Sequence, residues 1–274
     1  MGDLTATQPG VSPRDFLVGL ARAFGGAIFF ALPLLMTMEM WRLGYLMNPF
    51  RLALFMVVMI PMLVGLSHFS GFKETQTWTD DVVDAFVAYG VGFIASAVVL
   101  LLFDVLRLTM GLNEIVGMVS IQAIPASFGA SLAASQLHGS DDKQTGRKPD
   151  NTDKKRQSQG GYGTEIFLMA AGAVFLAFNV APTEEMILIA YKMSQWHALA
   201  LTIASLVMMH AFVYAVDFKG AHAVPEGTPP WRVFLRYTTV GYAVALLISA
   251  YVLWTFGRFE GQEFASCLMM TIVL

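Results

Sequence analysis

The stretch Gly172–Met193, GAVFLAFNVAPTEEMILIAYKM, sets two adjacent acids, Glu184 and Glu185, into a run otherwise apolar enough to cross a membrane. Pro182 lacks a backbone donor and crowds the turn before it, so a helix here is expected to kink or break near Asn179–Ala181. Carbonyls freed at such a break can face a cavity and act as ligands. The Asn179 amide, the Thr183 hydroxyl and the carboxylates of Glu184 and Glu185 would stand beside them. Neighbouring residues on a helix point about 100° apart, so the two acids cannot share one direction.

Composition makes the surroundings a membrane. The 274 residues are 56% hydrophobic and 14% charged, with a mean hydropathy of +0.59. Soluble domains carry about 25% charged residues. The net charge is −3, and no basic block with interleaved aromatics suggests nucleic acid. A single cysteine, Cys267, offers neither an internal disulfide nor a thiolate cluster. The first 13 residues are polar and lack a signal-peptide pattern.

A bilayer of about 30 Å asks for about 20 apolar residues per helix. Seven such runs are expected to span, over residues 16–41, 50–69, 82–103, 115–137, 166–191, 196–216 and 231–256. An eighth, 264–274, reaches only about 17 Å as a helix and is expected to be cut short. With the N-terminus in the cytoplasm, Arg14, Arg22, Lys73, Lys219, Arg232, Arg236 and the basic residues of the central polar segment share one side. Arg42, Arg51, Arg107, Lys192 and Arg258 fall on the other, so the basic bias supports that orientation.

Working outward, the chain matches itself. Shifted by 146 residues, Gly26–Met47, GAIFFALPLLMTMEMWRLGYLM, meets Gly172–Met193 without a gap. Thr37 falls on Thr183, Glu39 on Glu185, Met40 on Met186 and Tyr45 on Tyr191. The same shift carries Phe72-Lys73 onto Phe218-Lys219; a shift of 153 pairs Trp78 with Trp231, and one of 149 pairs Glu114 with Glu263. Four spans separate equivalent positions, so the halves would run in the same direction about an axis along the membrane normal. The expected fold is an all-α polytopic transmembrane helical bundle of two parallel four-span repeats, 1–138 and 164–274, joined by a charged cytoplasmic linker over 139–163.

If the equivalent helices face the axis, Glu39 and Glu185 converge. An ionisable group in hydrocarbon costs several kcal/mol unless paired or hydrated, and is a functional candidate by default. Oxygen ligands without Cys suit hard cations or protons. The expected cation or proton site is Glu39, Glu184, Glu185, Thr37, Thr183 and Asn179, with Glu39 and Glu185 as the metal ligands. The competing reading is local: Arg42 lies three residues after Glu39, a spacing at which an ion pair forms on one helix. His210, mid-span, is a candidate proton relay or a hydrogen-bonded packing residue. Glu114, Glu263 and Asp84 are candidate vestibule acids, or caps that complement helix dipoles, a role also open to Asp80 and Asp81. Asp104 and Arg107 form a surface pair. The small residues Gly19, Gly25, Gly26, Gly90, Gly92, Gly129, Ala130, Ala133 and Ala134 suit close helix packing.

No H-E-x-x-H, G-x-S-x-G or P-loop pattern occurs. The E-E-x-x-x-R pattern of glutamic CAAX-type proteases fails at Ile189, so no enzyme is expected. The pattern F-x-x-G-x-x-R-A-x-x-G-A from Phe16, P-T-E-E from Pro182 and the central charged segment resemble an uncharacterised bacterial family of integral membrane proteins. The resemblance covers nearly the whole chain and implies a bacterial inner-membrane setting, without an activity. In logic, acids repeated on broken helices are similar to the cation exchanger superfamily, whose G-N-x-x-P-E motif is missing here. The expectation is a cation or proton transporter or channel, or a non-transporting sensor or assembly protein. It would have no cofactor beyond a bound cation (Ca2+, Mg2+, Na+ or H+) and no nucleic-acid partner. The lipid bilayer and an inorganic cation are the expected partners, and homo-oligomerisation stays open.

Overall fold

The computed structural model describes residues 13–70, 78–107, 109–144, 162–215, 231 and 234–274. Among the described residues all regular structure is helical. The first half contains α1 (Pro13–Leu35), α2 (Met38–Leu46), α3 (Pro49–Ser70), α4 (Trp78–Leu102) and α5 (Leu112–Gln144). The second contains α6 (Tyr162–Val180), α7 (Glu184–Lys192), α8 (Gln195–Ala215), a π-helical turn (Phe234–Thr239) leading into α9 (Val240–Thr255), and α10 (Phe264–Val273). Six stretches are long and apolar enough to cross a membrane: Leu17–Leu35, Pro49–His68, Trp78–Leu102, Leu112–Ala133, Tyr162–Val180 and Tyr237–Thr255.

Two of the expected continuous spans are broken. The run 16–41 divides into α1 and α2, and 166–191 into α6 and α7. Pro33 lies inside α1, and the helix stops just beyond it; Pro182 sits in the second break itself. At each break a threonine takes extended backbone, Thr37 at φ −96° and Thr183 at φ −71°. Each hydroxyl donates back to the carbonyl three residues earlier, Leu34 and Val180, at 2.8 Å. The threonines thus close the helix behind them and do not cap the helix ahead. The expected helix at 196–216 is α8, and α10 fills the last apolar run. Helix α5 continues to Gln144, into the stretch expected to be linker; residues 145–161 lie outside the described residues.

Helix α5 is the centre of the first half, buried from Gly117 to Ser131 except at Val119. Its neighbours approach it at glycines: Gly26 of α1 on Gly129, Gly44 of α2 on Gly117, and Gly92 of α4 on Ala123. A Cβ at Gly26, Gly44 or Gly92 would stand 2.6, 2.6 and 2.7 Å from the facing backbone oxygen. Lipid tails give no hydrophobic drive between helices, so such close backbone packing is what holds them. Gly19, Gly25 and Gly90 meet nothing within 4 Å, so they do not serve the close packing expected of them.

Helix bounds coincide at the sequence offset: α2 and α7, with their flanking caps, superpose residue for residue at 146, as do the starts of α3 and α8. The contacts α1–α4, α2–α5, α3–α5 and α4–α5 have counterparts in α6–α9, α7–α10, α8–α10 and α9–α10. Between halves, the Phe55 ring of α3 packs edge-on against Phe178 of α6 at 5.1 Å and Phe256 at 6.0 Å. The Phe167 ring lies against Gly65, so α6 runs antiparallel to α3.

Candidate functional site

The breaks lie within the depth of the bundle. The Leu34 carbonyl, last before the first break, is 3.5 Å from the amide nitrogen of Gln122. On α5, Gln122 sits between the Gly117 and Gly129 levels that touch α2 and α1. At the second break Ala181 and Pro182 are buried.

The end of α9 supplies what lies between them. Its last turn closes in a Schellman motif: Arg258 N–H donates to Leu253 O at 2.9 Å and Gly257 N–H to Trp254 O at 3.1 Å. Gly257 carries the left-handed φ of +72° that this ending requires. Helix α4 ends the same way, with Val105 to Leu100 and Asp104 to Leu101, both at 3.1 Å, and Asp104 at φ +55°. The residue after the left-handed position usually makes an apolar contact. Val105 is that kind of residue; in the second half the place is taken by Arg258.

Arg258 is half-buried, and its Nη2 donates to the Pro182 carbonyl at the break. Its Nε is shut off from the surface with no hydrogen-bond partner among the described residues. Burial lowers the pKa of the guanidinium below its ordinary value; the charges of Glu184 first, then Glu39, pull it back up. The two acids stand at the first turn of α2 and the first turn of α7 and act on Arg258 through their charge alone, since no hydrogen bond or ion pair within 4 Å joins either to it among the described residues.

Glu184 and Glu185 are both exposed, and neither makes a hydrogen bond or ion pair among the described residues; Glu39 is half-buried. Of the two neighbours on α7, it is the charge of Glu184 that acts on Arg258. Nor does Glu39 pair with Arg42, which is exposed. The hydroxyls of Thr37 and Thr183 are engaged with Leu34 and Val180 as described. The Asn179 side-chain NH2 donates back to Phe175 O at 2.7 Å.

The remaining candidates lie elsewhere. His210 Nδ1 is 3.0 Å from Thr238 Oγ1, fully buried in the π-helical turn, and its ring meets Phe234 edge-on. Asp81, at 1% exposure, was expected as a cap; it pairs with His68 at 2.8 Å, whose ring stacks on Trp78. The helix already begins at Trp78, which puts Asp81 on the face toward α3. Asp84 is half-buried on the same helix. Glu114 is exposed and accepts the Gly111 N–H at 3.3 Å, a capping contact; Glu263 is exposed at the N-cap of α10 without a side-chain cap. The Asp104–Arg107 pair is present at 2.7 Å. Among the described residues no group of three His, Cys, Asp or Glu could hold a metal ion.

Arg258 is the residue that sequence reasoning missed. Its signal was available: Gly257-Arg258 follows a span directly, and the offset of 153 sets the arginine opposite an apolar valine.

The breaks, the glycine-packed centre and the acids belong to a chain that one family model covers over residues 19–274. The chain belongs to the DUF2391 family of integral membrane proteins. Comparison with curated proteins and with solved structures finds no match. As a DUF2391 chain it is a multi-pass membrane protein, in contact with lipid along its apolar helices.

Proposed function

We propose that this protein is a transporter or channel for a proton or a monovalent cation, built from two parallel four-span repeats. The observation that carries the reading is Arg258 itself, half-buried, with its Nη2 on the Pro182 carbonyl at the second break, and with Glu184 and Glu39 at the first turns that follow the two breaks. Charge held at broken helices of a membrane protein is costly to keep unless it serves binding or translocation. A divalent ion normally draws more oxygen ligands, and the described residues gather no such group of acids. An inner-membrane location with the N-terminus in the cytoplasm fits the basic bias of the loops.

The test is flux in vesicles reconstituted with purified protein, following H+, Na+ and K+. Glu184→Gln and Glu39→Gln, which remove the two charges that act on Arg258, are each expected to lower the flux severalfold. Glu185→Gln, whose charge is not among them, is expected to leave it within about twofold. Folded protein that passes none of these ions would favour a sensor or assembly role and overturn the reading.

A further inference from the structure

The segment from Phe256 to Glu263 that carries Arg258 is fastened from the first half. Arg51, near the start of α3, is mostly buried: its side chain is 20% exposed. Its Nη1 donates to Glu260 Oε1 at 2.7 Å and to the Trp254 carbonyl at 3.1 Å, and its guanidinium sits 4.8 Å above the Trp254 ring. The segment is also tied at a third point, where the Tyr191 hydroxyl at the end of α7 donates to Gln262 Oε1. Alternate residues of the strap, 258, 260 and 262, therefore reach the second break, α3 and α7 in turn. Gly257 and Gly261, both at left-handed φ near +70°, bracket the turn.

We infer that Arg51 is a positioning residue, which fixes the strap so that Arg258 stays on the Pro182 carbonyl at the second break. This rests on the ion-site reading above. Trp254 and Glu260 flank Arg258 in sequence, four residues before it and two after. A guanidinium held by a carboxylate, a carbonyl and an indole face cannot be matched by a flexible ammonium. Releasing Glu260 unties the strap from α3, and what then holds it lies in the second half alone, Arg258 on Pro182 and Gln262 on Tyr191. Arg51 belongs to one half and the strap to the other, so any rocking of the halves that opened the site would have to break this clasp.

The experiment uses the full chain in vesicles with Arg51→Gln, Arg51→Lys, Glu260→Gln and Arg258→Gln. Arg51→Gln and Glu260→Gln are expected to lower the flux severalfold, because the arginine at the break is no longer held in place. Arg258→Gln should give at least that loss, and adding Arg51→Gln to it should add nothing, because the two act through one group. Arg51→Lys should recover part of the flux. Full additivity of Arg51→Gln with Arg258→Gln, or unchanged flux, overturns the inference. A second measurement does not need flux: with Cys267→Ser, the pair Arg258→Cys and Glu184→Cys is joined by a short bis-maleimide. The joining should slow severalfold when Arg51→Gln is introduced. If the wild-type protein carries no ion but the joining slows, the transport reading fails and the clasp stands. Unchanged joining means that Arg51 does not position the strap.

Discussion

Among single residues, those that matter most combine burial with charge. Arg258 is half-buried with its Nη2 on the Pro182 carbonyl; burial lowers its pKa and the charges of Glu184 and Glu39 oppose that. Asp81 is more deeply enclosed and has His68 at 2.8 Å, an imidazole in turn stacked on Trp78. Truncating one partner of a buried polar pair costs more than the pair contributes, because the other partner keeps its desolvation penalty. Asp81→Leu should therefore lower stability by about 1–3 kcal/mol, and Asp81→Asn by less, as read from thermal unfolding in detergent. Equal melting of both variants and the wild type would show the pair to be incidental.

At the scale of elements, the two halves solve the same problem with different residues. Each long helix after the hairpin, α4 and α9, must stop sharply to return the chain, and each does so through a left-handed residue. Glycine at 257 has no Cβ to strain, whereas aspartate at 104 bears the penalty. Gly257→Ala should cost about 1 kcal/mol, while Asp104→Gly should leave stability unchanged or raise it, since the exposed pair it gives up with Arg107 is worth little. Thermal melts of the two variants test this, and the reverse order would contradict the assigned backbone. The breaks before α2 and α7 show how far local reading reached. Pro182 announced the second break, and it came within two residues of the expected place. The first break was not legible as such: Pro33 lies inside α1, and the interruption follows where the Thr37 hydroxyl claims Leu34 O. A proline removes one donor, but which later residue yields depends on neighbours that the local sequence does not name, here Gln122 of α5.

For the whole molecule, the question is what joins the halves. The described contacts are the Phe55 cluster, Phe30 against Phe175 at 5.5 Å, Gly65 under Phe167, and the Arg51 clasp. These are tertiary contacts between segments that are each stable across a membrane as helices, so the covalent link is dispensable for assembly. Fragments 1–150 and 151–274, expressed together, are expected to copurify in detergent. Phe55→Ala should weaken that association by about 1–3 kcal/mol, since in lipid the lost packing is felt without the full water-transfer term. Fragments that never associate would mean that the interface is too weak to define a shared site.

Sequence by itself determined that this chain crosses a membrane several times, where its apolar runs lie, and that two of them carry acids, one of the two beside a break. Those properties follow from hydrophobicity, period and proline chemistry, which act over a few residues. Helix bounds that coincide at the offset of 146 were legible for the same reason, since matching side chains impose matching local geometry. The arrival of Arg258 at the carbonyl of the second break was decided only by tertiary structure. A break frees a helix to rotate, and its final direction is set by what packs against it. Arg258 arrives from 74 positions beyond Glu184 in the chain, at the end of another helix, where no local rule could have placed it.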